Sequence, residues 1–209
     1  MKRFFLLVIV FLLSFNSVIA AEALSPQVIG LNKLDILRGT GNGFELDRTL
    51  TRAEAVVLLM RMHPQVTGSL GMPAPVFDDM DDHWAYKEVT AAKKIGLVNG
   101  TSATTFTPDR TVSGVEFVKM TLSLLGYKDV TIENAYQLGV DHSLILSSPT
   151  KNTALSPALS RSDAVEICWS ALTSKTADDK ILYQKLIDCG KYKVEDFDGI
   201  LGDGTNPIT

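Results

Sequence analysis

Apolar residues recur along this chain at the three- and four-residue spacing of a helix, in short stretches that open on a capping residue and end near glycine or proline. Val28, Leu31 and Leu34 form the first stripe, started by Ser25 with Pro26 at the first helical position and followed by the turn Ile36-Leu37-Arg38-Gly39. A second helix is expected over Arg52–His63, with Thr51 and Glu54 as a capping box and Pro64 as its stop. Val89, Ala92 and Ile95 share the next face, which points to a helix capped by Asp82 and ended by Gly96. Ser113 and Glu116 make another capping box, ahead of the stripe Val115, Val118, Leu122 and Leu125 that stops at Gly126. Ala135–His142 reads as a short helix with Leu144-Ile145-Leu146 as its turn, and Ser160 caps a helix over Arg161–Thr173. One more helix is expected over Asp178–Cys189, ended by Gly190, and in the tail to Thr209 the residues Val194, Phe197, Ile200 and Leu201 are candidates for docking.

The pattern repeats. Residues 44–54 read Phe-Glu-Leu-Asp-Arg-Thr-Leu-Thr-Arg-Ala-Glu, and residues 106–116 read Phe-Thr-Pro-Asp-Arg-Thr-Val-Ser-Gly-Val-Glu. Phenylalanine, Asp-Arg-Thr, an aliphatic, a hydroxyl residue and glutamate recur at one spacing, and Ala158–Asp163 is a fainter third copy. The division is a first repeat over 23–64, a linker over 65–76, a second repeat over 77–128, a degenerate third over 129–174, and a C-terminal helix and tail over 175–209. Each unit is helix, loop, helix, too small to bury both stripes alone, so the units need one another.

The first twenty residues have the make-up of a secretion signal: Lys2 and Arg3, the apolar run Phe4–Leu13, and the small-residue site Val18-Ile19-Ala20. That run falls short of the roughly 20 residues a spanning helix needs. No cysteine follows the site, so no lipid anchor is expected, and the mature chain is expected to be exported, with no membrane association after cleavage. A net charge of −4 over 209 residues, without a basic block, argues against nucleic acid and anionic membrane surfaces as partners. Cys168 and Cys189 leave disulfide pairing open, since a helical hairpin would hold them apart unless the second helix bends.

Catalytic and metal chemistry find little support. Asp78, Asp79, Asp81 and Asp82 lack the spacing of a calcium loop, and His63, His83 and His142 are scattered, so no metal site and no cofactor are expected. No nucleophile elbow, phosphate loop or Cys–His signature occurs, so no catalytic residue is assigned and the chain is not expected to be an enzyme. A hydrolase with unrecognised carboxylates is the rival enzymatic reading. The sharper signal is Arg52 and Arg161, each directly after a helix cap. A cation at the positive end of a helix is unfavourable, while the outward N–H groups there attract anions. Either the exposed arginines and those donors take a carboxylate or phosphate, or they pair with acids such as Glu54 and Asp163. Trp84 could stack on a sugar ring or fill a junction between repeats, and Asp79 could cap the start of the helix near His83.

Five motifs in order, Phe77-Asp78-Asp79-Met80, Asp82-His83-Trp84-Ala85, Ile95–Gly100, Phe106-Thr107-Pro108-Asp109 and Ser113-Gly114-Val115-Glu116, closely resemble the S-layer homology repeat. The resemblance implies an all-α fold of three such units in a pseudo-threefold arrangement. It implies a non-catalytic protein of the bacterial cell wall or S-layer, attached non-covalently to an anionic, commonly pyruvylated, secondary cell-wall polysaccharide or peptidoglycan-linked polymer. By that resemblance the polysaccharide-binding residues are Arg52, Arg161, Trp84 and Asp79, with Thr51, Glu54, Ser160 and Asp163 holding the helix starts. Gly114 stands where the second repeat should carry its arginine, so at most two sites keep that chemistry. The alternative is a degenerate structural module that binds a protein partner or self-associates.

Overall fold

The computed structural model describes residues 24–64, 76–145 and 156–201. The signal segment, nearly all of the linker, Leu146 of the third turn and the end of the tail lie outside the described residues. The fold is all-α, with helices α1 (Pro26–Lys33), α2 (Arg52–Met62), α3 (Tyr86–Lys94), α4 (Gly114–Leu124), α5 (Ile132–Asp141), α6 (Arg161–Thr173) and α7 (Leu182–Asp188). Short 3₁₀ turns add Asp78–Met80 and Val194–Phe197, and only isolated bridges, not strands, occur among the described residues.

Local chemistry accounts for the helix starts. The Ser25, Thr51, Ser113, Thr131 and Ser160 side chains each accept from an amide in the first turn, and Thr51–Glu54, Ser113–Glu116 and Thr131–Asn134 complete capping boxes. The Thr131–Asn134 box starts α5 at Ile132, ahead of the Ala135 start the apolar spacing gave. α3 begins at Tyr86 without Asp82: the Ala85 N–H donates instead to His83 Nδ1 at 3.1 Å. Gly96 ends α3 as expected, with φ of +76°. α7 is shorter than Asp178–Cys189 because residues 176–180 fold into a tight turn. There the Thr176 N–H donates to the Lys180 carbonyl at 2.7 Å, the Thr176 hydroxyl meets Asp178, and Asp179 takes a φ of +64°.

The starts of α2, α4 and α6 meet around a closed ring. Leu50 N–H donates to Leu159 O, Leu159 N–H to Val112 O and Val112 N–H to Leu50 O, at 2.8, 2.9 and 3.0 Å, and all three side chains are buried. One layer out, the first amide of each helix donates to the next segment: Arg52 to Arg110, Gly114 to Ser156 and Arg161 to Arg48, each at 2.9 Å. Apolar residues from every helix enclose this ring in one core. α1 lies tightly on α6 because Gly30 has no side chain; a Cβ there would sit 2.5 Å from the Trp169 ring.

The C-terminal segment straps the first two helices. Phe197, Ile200 and Leu201 are buried, whereas Val194 stays exposed. Lys191 Nζ donates to the Met60 and His63 carbonyls at the end of α2, and the Tyr192 hydroxyl donates to Leu34 O at 2.8 Å. The cysteines are not joined: Cys168 is buried, its thiol pushed up to about 12 by burial, and Cys189 is exposed.

Candidate grooves between the helix pairs

Arg52 and Arg161 are buried, at 5% and 6% exposure, where the sequence predicts exposed side chains. Arg52 Nε donates to Phe106 O at 3.1 Å, Nη2 to Asn99 O at 3.2 Å, and Nη1 to Glu116 Oε1 at 3.2 Å, with the guanidinium 4.6 Å above the Phe106 ring. Arg161 makes the same pattern on another segment: Nε to Phe44 O at 2.8 Å, Nη2 to Arg38 O at 3.0 Å, and Nη1 3.8 Å from Glu54 Oε1. Each arginine therefore bolts the start of its own helix to the loop and turn of a different helix pair. Burial lowers both guanidinium pKa values, against the raising pull of Glu116 on Arg52 and of Glu54 on Arg161.

The helix N-terminal donors are used internally as well. Arg52 and Ala53 N–H go to the Arg110 and Pro108 carbonyls, and Arg161 and Ser162 N–H go to Arg48 and Leu46. Thr51 and Ser160 take the Glu54 and Asp163 amides. The outward-facing amides expected for an anion are thus spent on neighbouring loops at both helix starts. Turns that lie close enough to be bolted by arginine are also close enough to accept these amides.

Two further arginines emerge. Arg48 grips Glu54 through both Nη atoms at 3.0 and 2.6 Å, and Arg110 grips Glu116 at 3.3 and 2.5 Å. Their signal was in the sequence, in the recurring Asp-Arg-Thr. Burial alone would raise the Glu54 and Glu116 carboxyls, but these arginines, with the Thr51 and Ser113 amides, hold both below the usual glutamate value.

Above each bolted arginine lies a groove. The first, about 180 Å³, is walled by the turn at Arg38–Thr40 and by α2, and brings together Arg161, Glu54 and Trp84 with Arg38 and Arg61. Trp84 is 62% exposed and tilts against His83, ring centroids 5.4 Å apart. The second, about 390 Å³, has Arg52, Asn99 and Glu116 in the matching places, with Lys119, Lys128 and the exposed Ile132 along its wall. Sequence reasoning placed Arg161, Trp84 and Glu54 in a site and the structure gathers them. It did not single out Arg38, Arg61, Lys119 or Lys128, which lie outside the recurring motif.

Asp79, Thr51, Ser160 and Asp163 line neither groove. Asp79 does order one: its carboxylate accepts from the Phe106 N–H at 2.9 Å and the Thr107 N–H at 2.7 Å, fixing the loop whose Phe106 carbonyl receives Arg52. It does not cap the helix near His83. Among the described residues no cluster of His, Cys, Asp or Glu is arranged to hold a metal.

This geometry defines an all-α protein with cation-lined clefts between its helices. Residues 76–118 match the S-layer homology domain, so the chain carries such a domain there. Similar proteins include an S-layer protein of Bacillus thuringiensis subsp. finitimus, 28% identical over 53% of this chain and 14% of that protein. A cell surface protein of Thermoanaerobacter kivui is 27% identical over 59% of this chain and 17% of its own length. Cell surface glycoprotein 1 of Acetivibrio thermocellus is 32% identical over 48% of this chain and 4% of its own length. The chain thus matches only a small part of these relatives. Domain and relatives together indicate a location outside the cell, at the envelope surface. No described helix is long and apolar enough to cross a membrane.

Proposed function

We propose that this is a non-catalytic envelope-binding protein that attaches non-covalently to an anionic secondary cell-wall polysaccharide, a pyruvylated glycan in its simplest form. The three repeats are units set around the central ring, and the polymer lies in the grooves between them. The observation that carries this reading is the first groove, where the guanidinium groups of Arg161, Arg61 and Arg38, the last already paired with Asp35, and an exposed indole face Glu54, which Arg48 already neutralises. The balance of charge favours an acidic ligand, and an indole with an open face offers a stacking platform for a sugar ring.

In this account the buried arginines have two tasks. Two of the five N–H groups of Arg161 hold the Phe44 and Arg38 carbonyls, which fixes the guanidinium plane before any ligand arrives. Arg61 then contributes charge from the wall, Arg38 contributes N–H donors beside its Asp35 partner, and Trp84 contributes apolar contact. The second groove is lined by Lys119 and Lys128 rather than by further arginines and has the exposed Ile132 but no tryptophan, so it holds the anion with less stacking.

Titration calorimetry with purified acidic wall polysaccharide, before and after mild acid removes its ketal-linked carboxylates, tests the assignment. Binding that weakens at least tenfold on removal of the carboxylates and falls with added salt is the expected result. Equal binding to both forms would contradict it.

A further inference from the structure

Trp84 is 62% exposed, and among the described residues the ring that meets its indole is the His83 imidazole. His83 is itself well packed, its side chain 12% exposed, and both ring nitrogens are engaged. Nδ1 accepts from the N–H of Ala85, the residue before α3, at 3.1 Å, and Nε2 lies 3.3 Å from Asp109 Oδ1. A nitrogen that accepts carries no proton, so the ring proton is on Nε2 and is donated to Asp109. The His83 backbone is held as well: its N–H donates to Met80 O, and its carbonyl accepts from the Tyr86 N–H. The imidazole therefore closes a turn around Trp84 and ties it to the loop that Asp79 orders through the Phe106 and Thr107 amides.

We infer that His83 is the positioning residue for Trp84: the neutral ring holds the indole at the first groove, and protonation of the ring releases it. An imidazolium carries N–H at both nitrogens, so Nδ1–H would face the Ala85 N–H, donor against donor, at the positive end of α3. Asp109 pulls the other way, but its side chain is 84% exposed and its attraction is screened by water. Beside Asp109, Arg110 is held on Glu116; on the turn, Asp79 is spent on the two amides and Asp81 and Asp82 are exposed; Lys87 and Glu88 stand in the first turn of α3. Carboxylates, lysine and arginine ordinarily titrate outside pH 5–8, so the ring is the group that changes charge across that range. With the turn released, a ligand has to order the indole as well as bind it, which lowers affinity about fivefold. As a ligand contact Trp84 rests on the glycan assignment above; the geometry of its turn does not.

Asparagine at this position separates the two states. Its Oδ1 stands as many bonds from the backbone as Nδ1, accepts from an amide two residues on, and does not titrate. The chain, labelled with ¹⁵N, is taken from pH 8 to pH 5 as wild type and as His83→Asn. The Ala85 amide and the Trp84 indole N–H should move in one step in the wild type and show no such step in the variant, while His63 and His142 titrate in both. Acidic wall polysaccharide is then bound at one raised salt concentration, where the attraction of an added ring charge is screened. At pH 8 the asparagine variant should match the wild type, and His83→Phe, which has no acceptor, should bind about fivefold more weakly. At pH 5 the wild type should fall to the level of the phenylalanine variant and the asparagine variant should not. A step that persists in His83→Asn, a wild type without one, or a phenylalanine variant that binds as the wild type does overturns the inference. Failure of the wild type to take the glycan at pH 8 would count against the glycan assignment alone, since the two proton shifts decide the role of His83 without it.

Discussion

Arg52 and Arg161 line the two grooves and at the same time hold the fold together. Alanine at either position leaves two backbone carbonyls without their donor, at about 1–3 kcal/mol for each acceptor kept from water. Arg52→Ala and Arg161→Ala should therefore each lose about 2 kcal/mol or more in denaturant unfolding, and the lysine variants most of that, since an ammonium cannot reach both carbonyls in one plane. At an exposed helix start alanine would instead cost almost nothing, so the melt separates the buried geometry from the surface one. Trp84 behaves oppositely. Trp84→Ala should leave stability within about 0.5 kcal/mol and weaken glycan binding about tenfold, as loss of one stacking contact would. Glu54 and Glu116 bring pH dependence. Their folded pKa values lie below the unfolded ones, so their contribution is complete above the unfolded carboxylate range, near pH 4.3, and is lost as pH falls through the folded values. Unfolding midpoints from pH 2 to 7 should show a flatter acid limb for Glu54→Gln than for the wild type.

At the scale of elements, helix starts were legible in the sequence because caps are local. Thr51, Ser113 and Ser160 start α2, α4 and α6 as read, since a hydroxyl three residues before an amide needs no tertiary information. Asp82 misled because a histidine two residues from Ala85 competes for the same amide, and the sequence does not rank the two acceptors. Contacts between elements carried no local mark. Gly30 is an example: it reads as a helix weakener, yet it is where α1 meets Trp169. Gly30→Ala should destabilise by about 1–3 kcal/mol through overpacking, where alanine in an exposed helix would stabilise. Lys191 is another. Burial lowers its pKa to about 8 while its ammonium holds the carbonyls at the end of α2. Between pH 8 and the unfolded lysine value near 10.4, the unfolded chain binds the extra proton, so stability rises with pH across that window. The rise should be absent in Lys191→Met, read as the difference between the two stability curves.

At the scale of the molecule, the recurrence of one sequence segment was legible but the ring that joins the helix starts was not. The recurring Phe…Asp-Arg-Thr…Glu marks equivalent segments, yet nothing in it says that Leu50, Val112 and Leu159 hydrogen-bond in a ring, because that depends on backbone distant in sequence. The same holds for the grooves. Arg161, Trp84 and Glu54 each carried a signal, whereas Arg38, Arg61, Lys119 and Lys128 joined them only through packing. The central claim is that this assembly of cation-rich grooves attaches the protein to an acidic wall polymer. It is tested most directly by sedimenting the mature chain with native cell-wall sacculi and with sacculi stripped of their acidic polysaccharide. The account predicts that the wild type pellets with native sacculi, stays in the supernatant with stripped ones, and is released from native sacculi by added salt. Pelleting that is equal with and without the polysaccharide would contradict it.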